Sequence, residues 1–148
     1  MIRTEVTRVA GFHVPEASQV RRIVQMVLHQ EGRNDAVVSV VFTDDKESTA
    51  LNKRFLRHAH VTDVISFALE TAPLLEAEIY INAEQARRQA KHYNVPMRQE
   101  YTRLVIHGVL HCCGYDDRRT KYRKLMFEKQ EQYVSRASAI VKAKRRKK

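Results

Sequence analysis

The chain has no run of about 18 or more consecutive apolar residues, so it lacks the mark of a membrane-spanning helix. Its opening residues, Met1-Ile-Arg-Thr-Glu-Val-Thr-Arg, lack the apolar centre of a secretory signal, which makes the cytoplasm the expected compartment. Cysteine is scarce. Only Cys112 and Cys113 occur, and neighbours in sequence are poorly placed to form a disulfide. They suit a reducing compartment and read as small core residues, although a thiolate there could serve as a spare metal ligand. Acid is missing from residues 136–148, which carry seven Lys or Arg. The net charge is +10, so residues 1–135 hold only +3 of it. That tail suits phosphate backbones, while a solvated basic end explains it without any partner. Repeats and linkers are absent as well. The 148 residues therefore make one domain over 1–135 and a basic tail over 136–148.

What is present is an alternation of short β-branched runs and helical patterns. Residues 2–9 read as a strand with Ile2, Val6 and Val9 inward. Pro15 opens a helix carrying Val20, Ile23, Val24, Val27 and Leu28 on one face. Residues 36–43 form a buried strand. Asp44 with Glu47 resembles a capping box, and the helix that follows should turn Leu51, Phe55 and Leu56 inward. The runs 64–69 and 76–81 are expected to pair as a hairpin. Asn82 with Gln85 caps a helix to about Tyr93, Pro96 begins one to about Cys113, and the last starts near Thr120. Four strands and about five helices predict an α+β domain.

One stretch concentrates the chemistry, His107-Gly-Val-Leu-His111-Cys-Cys-Gly114-Tyr-Asp116-Asp117. On a helix, residues four apart share a face, so both imidazoles can meet one ion. Gly114 suits a left-handed turn that swings Asp116 or Asp117 back toward them. Two nitrogens and a carboxylate suit zinc and leave a position open for water, which points to hydrolysis. A pair of core histidines with satisfied rings is the competing explanation, and it needs a partner for each buried ring. The zincin protease pattern His-Glu-x-x-His places its base at position 108, where this chain has glycine and no side chain to take a proton. A zincin-like metalloprotease is therefore the weaker alternative.

These residues resemble the YbeY family of bacterial endoribonucleases, whose mark is His-Gly-x-Leu-His-Leu-x-Gly-Tyr-Asp-His. Leu51-Asn52, Thr62-Asp63-Val64-Ile65-Ser66-Phe67, Ala77-Glu78-Ile79 and a closing Met126-Phe127 with Glu128 or Glu131 match further family marks. The resemblance spans residues 37–134 and implies a mixed four-stranded sheet with helices and one zinc-type ion. It also implies single-strand endoribonuclease activity in maturation of the small-subunit ribosomal RNA 3′ end and in ribosome quality control. The partners it implies are ribosomal RNA and the small subunit or its factors, not DNA and not a membrane.

The family register assigns the metal to His107, His111 and Asp117, because Asp116 matches the family's aspartate and Asp117 stands where a third histidine stands elsewhere. A carboxylate is a normal zinc ligand, so the expected effect is a changed metal preference. The family's arginine aligns with Leu56, with Arg57 one residue away and Arg54 two. Arg57 and Arg54 are the candidates to stabilise phosphate charge, with Lys142, Lys144, Arg145 and Arg146 as further RNA contacts. A solvated helix face explains the two arginines equally well. Ala77 replaces a glycine of the pattern. Candidate bases are Asp116, Glu78 and His60, none with a spacing argument behind it. His58 and His60 form His-x-His, which loop polarity explains. A non-catalytic ribosome-binding factor with a structural metal is the remaining alternative.

Overall fold

The computed structural model describes residues 1–56 and 62–146. Among the described residues, four strands and five α-helices follow in the order β1 (Ile2–Thr7), α1 (Ala17–Gln30), β2 (Ala36–Thr43), α2 (Asp45–Leu51), β3 (Val64–Glu70), β4 (Leu75–Asn82), α3 (Ala83–Tyr93), α4 (Met97–Cys112) and α5 (Thr120–Arg146). The strands form one mixed sheet in the order β1-β2-β4-β3. β1, β2 and β4 run parallel, and β3 returns antiparallel on β4 as the expected hairpin. The α+β class and the mixed four-stranded sheet are as read from the sequence.

Strand alternation divides the sheet into two unlike faces. Ala36, Val38, Val40 and Phe42 of β2 and Leu75, Ala77, Ile79 and Ile81 of β4 are all buried on one face. Helices α1 and α4 cover it, α1 through Val20, Ile23, Val24, Val27 and Leu28. α4 is apolar nearly all round because it is the inner helix, with Tyr101, Leu104, Val105, Ile106, Val109 and Leu110 all buried. α5 closes the layer with a seam at Met126, Tyr133, Val134 and Ala137. Ala77 sits mid-strand opposite Val38, so no turn is needed where the family pattern has glycine.

The predicted caps are present. Asp44 accepts from the Glu47 amide at 2.9 Å, and Asn82 accepts from Glu84 and Gln85. Three expectations change. β1 ends at Thr7, so Val9 packs on the core from beyond the strand. Pro15 stands just ahead of α1, with Glu16 as the cap residue. Phe55 is 51% exposed rather than inward. A π turn over Asn52–Leu56 follows α2 and rotates the chain out of the four-residue rhythm that would have stacked Phe55 under Leu51. The Leu56 side chain lies outside the described residues. α5 crosses the 135/136 boundary unbroken, and Ala137 is fully buried. Among the described residues, no helix is long and apolar enough to cross a membrane.

Candidate metal centre

The site is built on the last turn of α4. Its helix ends where Cys113 caps it and Gly114 turns left-handed at φ +100°. The Tyr115 amide then reaches the Leu110 carbonyl and the Gly114 amide the His111 carbonyl, a Schellman closure. This turn brings Asp117 back over the histidines. Asp117 Oδ2 lies 3.1 Å from His111 Nε2 and 3.7 Å from His107 Nε2. One ligand atom from each of these three residues falls within 4.8 Å of the others, so the group can hold a metal ion. Asp116 points elsewhere. Its Oδ1 accepts from the Arg118 amide at 2.9 Å, which holds its carboxyl below the usual range.

The outer partners decide which lone pairs face inward. His107 Nδ1 meets Gln130 Oε1 at 2.7 Å. Gln130 Nε2 donates to Glu131 at 3.1 Å, so the amide must turn its oxygen to the ring and accept the ring proton. Glu131 is in turn gripped by two nitrogens of Arg103, at 2.9 and 3.0 Å. His111 Nδ1 donates to the Tyr115 carbonyl at 3.1 Å. In the neutral rings both protons are thus spent outward. Two Nε2 lone pairs and a carboxylate oxygen converge with no hydrogen between them. Three converging acceptors repel one another, and a cation satisfies all three. Burial, the largest influence, pushes the His107 pKa down, which favours the neutral ring a metal needs. Both histidine side chains remain 27% exposed, so the centre is open to solvent.

Two further segments frame the site. Tyr115 and Tyr133 both donate their hydroxyls to Glu31 at the end of α1, fixing the Gly114 turn from outside. Burial and then the Glu31 carboxylate push the Tyr115 phenol up to about 12. The charge of Asp63 also favours the protonated His107 ring, a smaller influence than burial. Asp63 is pinned by its neighbours: the Asn82 amide donates to its carbonyl, and Asn52 and Ser48 tie down Thr62 beside it. The Leu51-Asn52 and Thr62-Asp63 marks are therefore parts of one joint.

Other residues expected at the site stand away from it. Glu78 is on the far face of the sheet, because its neighbour Ile79 packs against Gly108 of α4. It accepts from Tyr80 there and is no base for this cluster. The Arg54 guanidinium lies 5.1 Å over the Phe55 ring, and Phe55 packs edge-on against Phe67, which pairs with Glu78 on that same far face. Arg57, His58, His60, Lys147 and Lys148 lie outside the described residues, as do the side chains of Lys142, Lys144, Arg145 and Arg146. Neither Cys112 nor Cys113 belongs to the converging group, and burial holds their thiols up at about 12 and about 11.

A family model described as Endoribonuclease YbeY matches residues 9–138. The chain belongs to the YbeY family. An endoribonuclease YbeY of Flavobacterium psychrophilum is 33% identical over 121 residues, 82% of this chain and 86% of that protein. One from Salinibacter ruber is 32% identical over 129 residues, 81% and 82% of the two chains. The solution structure of TM1509 from Thermotoga maritima matches with a TM-score of 0.70 at 28% identity, over 97% of this chain and 93% of that one.

Sequence reasoning missed Gln130, Tyr115 and Glu31. Gln130 had a signal: a buried amide inside the apolar seam of α5 needs a partner. Replacing it tests its part. Gln130→Leu keeps the bulk but leaves the His107 Nδ1 proton unpaired, and metal affinity should fall by roughly 10–100-fold. Gln130→Glu keeps an acceptor and should bind metal nearly as well as the parent chain. Competition against a chromophoric chelator measures both, and equal affinity in the leucine variant would remove Gln130 from the site.

Proposed function

We propose that this chain is a divalent-metal-dependent endoribonuclease that cuts single-stranded RNA. Its natural substrate is ribosomal RNA, at the small-subunit 3′ end, within ribosome maturation and quality control in the cytoplasm. The observation that carries the reading is the convergence of His107 Nε2, His111 Nε2 and Asp117 Oδ2 in a YbeY-family chain. His107, His111 and Asp117 would hold a zinc-type ion, and such an ion would supply a water with its pKa lowered to about 7 and a Lewis acid for a phosphoryl oxygen. The residues of the chain do the rest. Gln130 and the Tyr115 carbonyl hold both rings with Nε2 inward. Asp63, whose charge acts on His107 although it is not one of the three converging residues, is the candidate to take a proton, ahead of Asp116. Arg57 is the candidate to stabilise charge on the phosphate.

The deciding experiment uses a circular single-stranded RNA, which only an endonuclease can open. Cleavage should require added zinc or another divalent ion and stop with chelator. Casein exposed to the same preparation should stay intact, since Gly108 supplies no base. Tight binding to the small subunit without any cleavage would favour the non-catalytic factor, the reading that Asp117 and Leu56 in the family's histidine and arginine positions support.

The tail has its own test. Deleting residues 142–148 removes six cations, Lys142, Lys144, Arg145, Arg146, Lys147 and Lys148. RNA affinity should drop, and the salt slope should flatten by up to about 0.7 for each phosphate that the tail neutralises. Thermal stability should stay put, because the buried seam of α5 that the described side chains form, from Met126 to Ala137, lies wholly outside the deleted residues. An unchanged slope would leave the tail as an aid to solubility.

A further inference from the structure

The residues that follow Asp117 are Arg118-Arg119-Thr120-Lys121-Tyr122-Arg123-Lys124, five cations without an acid. All seven are exposed, because the buried seam of α5 begins only at Met126. Arg118 is held at 3.4 Å from Asp116, whereas Arg119, Lys121, Arg123 and Lys124 make no ion pair among the described residues. Five like charges crowded within one short segment repel each other, a cost that an anionic ligand relieves. Beside them opens a cavity of about 360 Å³ lined by Cys113, Gly114, Tyr115, Asp116, Tyr122 and Leu125. Tyr122 and Leu125 are neighbours three apart on α5, and both offer large exposed surfaces, 43% and 54%. The floor of the cavity is the same turn that delivers Asp117 to the histidines. A group seated in it is therefore next to the metal cluster, one turn of chain away.

We propose that this cavity and its cationic rim are a nucleotide subsite for the single-stranded RNA substrate. The cations hold phosphates, Tyr122 stacks one unpaired base over the Gly114–Asp116 floor, and the strand continues to the metal centre. This rests on the endoribonuclease reading. Charge sets the occupant: the rim matches a polyanion, and an aromatic wall beside it matches an unstacked base rather than a duplex. The Asp116 carboxylate at the floor accepts from the amino groups of a base edge and repels phosphate, which keeps the backbone on the rim.

The test measures binding and cleavage separately, on the full chain. Binding is followed by anisotropy of a labelled single-stranded oligoribonucleotide containing 2-aminopurine, with chelator present to stop cleavage. Tyr122→Leu should bind about tenfold more weakly at an unchanged salt slope and lose 2-aminopurine quenching, while Tyr122→Phe restores both. The triple variant Arg119→Ala, Lys121→Ala, Lys124→Ala should flatten the slope by about 2. If the parent chain cleaves RNA and both variants bind and cleave like it, the subsite is overturned and the nuclease reading survives. If the variants weaken binding as stated but the parent chain cleaves nothing, the subsite stands and the nuclease reading falls. Equal affinity for duplex and single strand, or binding to anionic vesicles without binding to RNA, would also overturn the subsite.

Discussion

Protein carrying His107→Ala, His111→Ala or Asp117→Ala should emerge from purification without its metal, while Asp116→Ala should keep it. Each of the first three removes one of the converging acceptors, two of which already sit only 3.1 and 3.7 Å from Asp117 Oδ2. Affinity should fall by more than the roughly 10–100-fold that loss of an outer partner costs. Asp116 is bound to Arg118 and faces the neighbouring cavity, so its removal leaves the donor set whole. Metal analysis of the four purified variants decides between the carboxylates, and full occupancy in Asp117→Ala would show that Asp117 is not a ligand. The apo chain should also lose stability as pH falls. Burial depresses the His107 pKa below its unfolded value, so this contribution is complete above about pH 6.5. It fades as the pH drops toward the folded pKa, where protonation of the buried ring sets in. A Tm series in chelator reads this out, and His107→Gln should flatten it.

The parts of this fold that were legible in the sequence are those that local chemistry dictates. The Asn82 and Asp44 caps, the valine run of β2 and the Gly114 turn each follow from a few adjacent residues. The convergence of His107 and His111 with a carboxylate past the Gly114 turn was legible for the same reason, whereas the choice of Asp117 over Asp116 came from the family register. Glu78 could have been removed by parity alone: if Ile79 faces the helices, its neighbour cannot. The π turn at Asn52–Leu56 has no signature that periodicity could detect, and it turned Phe55 outward. Which residues the outer partners would meet was not legible, for a different reason. Gln130 meets His107 across 23 residues, and Glu31 meets Tyr115 across 84 and Tyr133 across 102. Such pairings depend on how α5 lies across α4 and α1, which no local pattern encodes. The cationic segment 118–124 is plain in the sequence, but only the fold shows that it borders a cavity beside the metal cluster.

Gly108→Glu, which restores the zincin protease pattern by sequence, should yield an unstable protein that hydrolyses no peptide. A Cβ at position 108 would lie 2.6 Å from Ile79 Cγ2, closer than real Cβ atoms approach. Ile79 is fully buried and β-branched, so it has little freedom to swing aside. Either α4 or β4 must move. Gly108→Ala alone should therefore cost about 1–3 kcal/mol in overpacking, partly offset by roughly 1 kcal/mol of helix propensity. The glutamate adds a carboxylate aimed at β4 rather than at the metal, buried without a partner, for a loss of about 3 kcal/mol or more. A double-mutant cycle separates packing from chemistry. Ile79→Ala should cost about 2–5 kcal/mol by itself, but less in the Gly108→Ala background, because the new methyl fills part of the space. Additive costs would mean that Ile79 is not what glycine 108 makes room for. The unfolding midpoints give these energies, and a zinc-dependent peptidase assay on the glutamate variant gives the chemistry. A folded Gly108→Glu protein that cleaved peptide only with zinc would place the side chain at the metal and revive the protease reading.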